Sequence, residues 1–307
     1  MLDFLTQPKF PQTALGIEKD RLTAISLSRE GGGAFGVRNG AVIELPPGLL
    51  TPSFTDRNIH SPERFRASVE EVMTAAGLLG QRSWSVSLPS SSARSAIITL
   101  DETALQKGDS ENILDWKAEQ TFGLPADRLR ITREKITSES GKARYFATAV
   151  QLSVIEEFEL VFESMGVSAG LILPRAICES NWLISTASYA DSLLISSNDE
   201  GFTAVVLRGD EPSVVRSVTC SPGERDDEIY RLLMFYQDRF VPNAGETPLE
   251  RILAVGEIAP EKLRQISKEA LGYEINVMEP RDVGFVTPGG LSFADLAAPA
   301  GLAVFGM

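Results

Sequence analysis

Residues 192–220, SLLISSNDEGFTAVVLRGDEPSVVRSVTC, hold three short apolar runs separated by turn-forming residues. SLLIS, FTAVVLRG and PSVVRSVTC are rich in Val, Ile, Leu, Phe and Thr, and Ser-Asn-Asp-Glu-Gly and Gly-Asp-Glu punctuate them, so they read as a meander of three strands. The stretch after it changes period. RDDEIYRLLMFYQDRF, residues 225–240, repeats apolar residues at helical spacing. A strand over 251–255, a helix over 260–271, a strand over 273–277 and a last helix near 291–305 complete this part of the chain.

The first half runs through a similar cycle. TALGIE (13–18) and LTAISLS (22–28) read as two strands joined by the polar turn Lys19-Asp20-Arg21. In AFGVRNGAVIELP the Asn39-Gly40 pair predicts a hairpin turn between two further strands. Ser61-Pro62-Glu63 marks a helix start, and Phe65, Val69, Val72, Met73, Ala76 and Leu79 keep the three-and-four spacing up to Gly80, the predicted stop. WSVSLP and SAIITL are strands flanking a Ser-rich loop. ENILDWKAEQTF (111–122) is a helix, strands follow at about 128–137 and 144–150, and a helix over 154–165 takes Ser153 as its predicted N-cap. VSAGLILP is a strand and AICESNWLIST a helix. Both halves thus open on a hairpin-rich sheet and then alternate strand with helix, which is an α/β architecture of mixed sheets.

With 307 residues the chain has the length of two domains. The expected division is 1–187, with an inserted subdomain at about 86–165, and 188–307. Twenty-nine Lys and Arg against 42 Asp and Glu give a net charge of −13. Phosphate backbones are repelled by such a field, so nucleic acid is not an expected partner. No apolar run is long enough to span a bilayer, and the opening MLDFLTQPKF lacks a signal-peptide pattern, so a cytoplasmic protein is expected. Cys178, Cys220 and His60 stand apart in sequence, with no zinc-type spacing, so no metal site is expected.

Several segments resemble the PilM family of bacterial type IV pilus assembly proteins, in family order. LGIEKDRLTAISL (15–27) stands where the family opens with its first phosphate-binding hairpin. LDWKAEQTFGLPAD (114–127), the stretch 147–183 from ATAVQLSVIEEF to CESNWL, VVLRGDEPSVVRSVT (205–219) and PAGLAVFG (299–306) resemble later family segments. The resemblance implies the duplicated fold of the actin, Hsp70 and sugar-kinase superfamily. The meander runs straight into the helix at 225, so the subdomain usually inserted in the second half is expected to be missing. GspL of type II secretion and FtsA are similar proteins of the same fold.

In that family the phosphates lie on two glycine-containing hairpins, a carboxylate in each organises Mg²⁺, and a glycine-rich element receives the adenosine. Only glycine lets the backbone approach so closely. This chain keeps Gly16 and Glu18 but has Asp20-Arg21 at the first loop and Thr23 in place of the family lysine. The second hairpin reads Ser196-Ser197-Asn198, losing carboxylate and glycine together, and the adenosine element reads Val255-Gly256-Glu257. The expectation is a degenerate ATPase: no catalytic residue, no cofactor, and ATP and Mg²⁺ held weakly or not at all. For Gly16, Glu18, Thr23, Ser196, Asn198 and Gly256, residual nucleotide contact competes with a plain role in turns and strand ends. An active ATPase or phosphotransferase on this fold, or a GspL-like secretion component, is the alternative.

The resemblance also implies a partner. PilM proteins bind the N-terminal cytoplasmic tail of PilN, a single-pass inner-membrane protein, between their first two subdomains. The scaffold so tethered couples pilus motor ATPases to the envelope complex. Trp116, Glu119 and Phe122 are the candidate wall of that groove. A Trp and a Phe at helical spacing also fit a core face. A second aromatic run, Tyr230, Leu233, Phe235 and Tyr236, reads as core with the same reservation.

Overall fold

A computed structural model of the chain describes residues 10–101, 110–139, 141–186, 188–240 and 248–307. Most of the opening decapeptide and residue 187, where the sequence divides the domains, lie outside these. Backbone contacts separate two compact units. The first takes the described parts of 1–92, 153–178 and 284–307, and the second takes 93–152 and 179–283.

The first unit is built on a six-stranded sheet of order β14-β3-β2-β1-β4-β8. At its centre β1 (Thr13–Ile17) pairs antiparallel with β2 (Arg21–Arg29) and parallel with β4 (Ser83–Leu88), which pairs parallel with β8 (Ser168–Pro174). All five residues of β1 are buried, because a strand covered on both faces needs an unbroken apolar run. Helices α1 (Pro62–Ala75) and α3 (Leu152–Ser164) bury Phe65 and Phe158, whose rings meet edge to face at 6.0 Å. The C-terminal helix α7 (Phe293–Val304) packs on β1, β2 and β4.

Three local expectations are corrected here. Asn39-Gly40 is not a turn: β3 (Phe35–Glu44) is one continuous strand, edged by β14 (Phe285–Val286). Its partner β2 is long enough to pair from Arg21↔Glu44 to Arg29↔Phe35, and a bulge at Arg38 absorbs the extra residue. Helix α1 stops at Gly77, with φ of 69°, rather than Gly80. The left-handed conformation there turns the chain out of the helix and lets the Gly77 N–H reach the Thr74 carbonyl. Ser153 lies inside α3 rather than capping it, since β7 (Lys142–Gln151) runs into α3 without a loop.

The second unit holds two sheets. One is the meander β9 (Asp191–Asn198), β10 (Gly201–Arg208), β11 (Glu211–Thr219), extended from β9 by β12 (Leu249–Val255) and β13 (Asn276–Met278), both parallel. Helices α5 (Arg225–Phe240) and α6 (Pro260–Leu271) cover it with Ile229, Leu232, Leu233, Leu263 and Ile266, which share one core with Leu193, Ile195 and Val277. Only residues 220–224 separate β11 from α5, so no subdomain is inserted between them. The other sheet is three-stranded, in the order β5 (Arg94–Asp101), β7, β6 (Leu129–Glu139), with helix α2 (Ser110–Phe122) against β5. Arg133 of β6 ion-pairs with Asp115 and Glu111 of α2. The two sheets are tied where Arg144 donates to the Ser213 carbonyl at 3.1 Å and the Thr137 N–H to Glu211 at 2.8 Å. Helix α4 (Arg175–Ser185) carries the chain from the first unit to the second.

Candidate functional site

In open α/β sheets, ligands gather at the carboxyl ends of parallel strands, where loops and helix N-termini leave backbone groups unpaired. In the first unit those ends belong to β1, β4 and β8. Glu18 follows β1, and its Oε2 accepts a hydrogen bond from Arg175, the first residue of α4, at 3.1 Å. Arg175 is 7% exposed, so this pair is largely dry and more strongly coupled than a surface pair. In the β1–β2 turn Arg21 takes Asp20 with two nitrogens at 3.0 Å and reaches Asp295 in the first turn of α7. The Arg21 hydrogen bond is the main reason the Asp20 carboxyl sits below its usual pKa. Glu18, Asp20 and Arg21 are thus each paired with another side chain of the protein.

Gly16 is explained by packing. A Cβ there would stand 3.1 Å from Cγ and Cδ of Pro299, so its lack of a side chain lets α7 lie on β1. Thr23 pairs with Gly16 across the sheet and is buried at 2% exposure. Ser87, opposite Gly16 on β4, is buried with its Oγ unpartnered among the described residues.

In the second unit the parallel ends are those of β9, β12 and β13, and the candidate residues lie at the first two. Ser196 and Ser197 are both buried, and neither Oγ has a partner among the described residues. Asn198 builds the β9–β10 turn: its Oδ1 accepts from the Glu200 N–H at 2.9 Å. Gly256 follows β12 with φ of 106°, and a Cβ there would be 2.5 Å from the Ser197 carbonyl oxygen. Arg225, the first residue of α5, donates from Nη1 to the Glu257 carbonyl at 3.0 Å and from Nη2 to the Asn198 carbonyl at 2.7 Å. No three His, Cys, Asp or Glu side chains gather as a metal site among the described residues. Cys178 and Cys220 are buried and form no disulfide with each other.

Sequence reading placed Arg21 at the first loop and missed Arg175 and Arg225. A signal existed for both: they open helices, where a cation opposes the helix dipole, so each needs acceptors elsewhere.

The candidate docking residues separate on α2. Trp116 is 57% exposed. Lys117 Nζ lies 5.9 Å from its ring centroid. Glu119 Oε1 accepts from the Ala126 N–H at 2.9 Å, fastening the loop after the helix. Phe122 is 1% exposed, in line with the buried Leu114 and Ala118 at helical spacing. Trp116 is therefore the one of the three whose side chain is open to a partner. On α5, Leu233 and Tyr236 are core while Tyr230 and Phe235 are exposed. Tyr236 donates to buried Asp191 at 2.7 Å.

No family model and no curated protein matches the sequence. Solved structures do match the fold. A chain of the PilM–PilN type IV pilus biogenesis complex superposes with a TM-score of 0.75 at 17% identity, over 97% of this chain and 99% of that one. EutJ, an ethanolamine utilization protein from Carboxydothermus hydrogenoformans, gives 0.50 at 10% identity, over 97% and 92%. A Bacteroides thetaiotaomicron protein of actin-like ATPase fold and unknown function gives 0.48 at 11%, over 91% and 95%. The fold is actin-like. Among the described residues no helix is long and apolar enough to cross a membrane.

Proposed function

We propose that the chain is a PilM-like docking platform of a type IV pilus system, using the actin-like fold without ATP. The observation that carries this is the superposition on the PilM–PilN complex over nearly the whole of both chains. The partner would be the N-terminal tail of a PilN-like inner-membrane protein, which would hold the platform at the cytoplasmic face of that membrane and within reach of pilus motor ATPases.

The residues at the strand ends do not fit Mg·ATP. Glu18, the carboxylate left from the first hairpin, is engaged by Arg175. The second hairpin has Ser196-Ser197-Asn198 where relatives carry the metal carboxylate, and its Asp199 and Glu200 stand further on, in the turn. The loops that would receive a nucleotide are closed on Arg225 and on each other. Each charge-assisted phosphate contact removed costs about 1.5–3 kcal/mol of affinity, so losing several leaves little binding. Isothermal calorimetry with Mg·ATP is expected to give no heat at low-micromolar concentration, and phosphate release should stay at the buffer rate. A low-micromolar Kd would defeat the nucleotide-free reading.

Trp116 supports the docking half. An exposed Trp on a helix whose opposite face is core is the kind of anchor that dominates interfaces. Trp116→Ala is expected to weaken binding of the cognate PilN-like tail peptide by about 1–3 kcal/mol, read by fluorescence anisotropy. Unchanged affinity would remove Trp116 from the interface, and absence of tail binding by the unmutated protein would remove the docking role.

A further inference from the structure

We infer that Arg225 is a built-in stand-in for a ligand, holding the loops after β9 and β12 in one arrangement that no bound molecule has to stabilise. The inference rests on the second unit alone and stands whether or not the docking role does. Three chain segments meet at the carboxyl ends of these neighbouring parallel strands: the turn at Asn198, the turn at Gly256, and the start of α5. A guanidinium is planar and carries its donors in a rigid fork, so it can serve two acceptors at once. Here one nitrogen takes the Glu257 carbonyl and another the Asn198 carbonyl, at 3.0 and 2.7 Å. Arg225 therefore cross-links the two loops through their backbones.

Its setting makes the link strong. Arg225 is 6% exposed, so water competes little for those carbonyls. Asp226, Asp227 and Glu228 follow it in the first turn of α5 and offset the cost of a cation at a helix N-terminus. On the other side Gly256 lies so close to the Ser197 carbonyl that a methyl group has no room. The chain's own atoms thus join the two loops at the strand ends where open α/β folds place a ligand. In a ligand-dependent protein the loops would order on binding. In this one they are ordered in advance, and the unit has a single loop state.

Hydrogen exchange on the intact protein tests this at two amides that report the turns, Glu200 N–H on Asn198 Oδ1 and Ile258 N–H on the Gly256 carbonyl. Arg225→Ala is expected to lower protection at both by about tenfold or more while β10 and α6 amides keep theirs, because the opening is local. Millimolar guanidinium should restore protection by occupying the vacated fork site, and potassium at equal ionic strength should not. Unchanged protection in the variant, or equal restoration by both salts, overturns the inference. Should Arg225→Ala fail to fold, Arg225→Lys decides: its single ammonium keeps the charge but lacks the fork, so intermediate protection is expected and full protection overturns it. Gain of protection on adding Mg·ATP to the unmutated protein overturns it as well, since the crevice would then still admit a ligand.

Discussion

Phe122→Ala is expected to destabilise the protein by about 3–5 kcal/mol, the usual cost of emptying a buried phenylalanine site. Trp116→Ala on the same helix is expected to change stability by less than about 0.5 kcal/mol. The difference is one of face, not of residue type. Leu114, Ala118 and Phe122 recur at intervals of one helical turn and are 5%, 0% and 1% exposed, so they form the stripe that α2 lays on its sheet. The end of this stripe is fixed twice over, by Arg94 donating to the Phe122 carbonyl at 2.9 Å and by Glu119 accepting from the Ala126 N–H. Neighbouring side chains so held cannot easily collapse into the space a lost ring leaves, which puts Phe122 in the upper part of the range. Urea unfolding followed by circular dichroism measures both variants, with an unchanged slope certifying that only stability moved. The reverse ranking, Trp116 costly and Phe122 cheap, would mean that α2 presents the opposite face to its sheet, and the docking proposal would lose its anchor.

The elements that sequence reading placed correctly are those whose local signals all agree. Helices α5 and α6 begin and end at the expected residues, 225–240 and 260–271, because apolar spacing, acidic first turns and, for α6, Pro260 at its start and Gly272 at its end point the same way. The errors fall where a local signal met a tertiary one. Asn39-Gly40 has strong turn chemistry, but β2 offers a full length of strand to pair with, and the ladder wins at the cost of one bulge. Gly80 was the expected helix stop, and the chain instead turns out of α1 three residues earlier, at Gly77. At the strand ends, the positions of Glu18, Asn198 and Gly256 were legible as turns. Their partners were not: Arg175 lies far along the chain from Glu18, as Asp295 does from Arg21, and single-sequence periodicity carries no information about such pairs. What could be read was the anomaly of a cation opening a helix, which asks for an acceptor without saying where it is.

Gly256→Ala is expected to cost about 2–4 kcal/mol, even with no ligand in the sample. Gly256 invites a functional reading, since glycine is the residue a nucleotide loop needs, and the two roles predict different experiments. If the glycine served only to let a ligand approach, a methyl group would leave the ligand-free protein intact. The geometry says otherwise. Its φ of 106° is a conformation that side-chain-bearing residues rarely adopt, and the added Cβ would stand 2.5 Å from the Ser197 carbonyl oxygen. Relief requires moving the loop away from β9, and that motion pulls the Glu257 carbonyl from Arg225, so strain and a lost charge-assisted hydrogen bond combine. Gly272 provides the control. It ends α6 with φ of 78°, but nothing lies within 4 Å of where its Cβ would be. Gly272→Ala therefore meets the left-handed penalty alone, about 1 kcal/mol. Thermal melts of the two variants in buffer without nucleotide separate the cases. A Gly256→Ala protein no less stable than Gly272→Ala would show that the loop has room to yield, and the structural account of Gly256 would have to be given up.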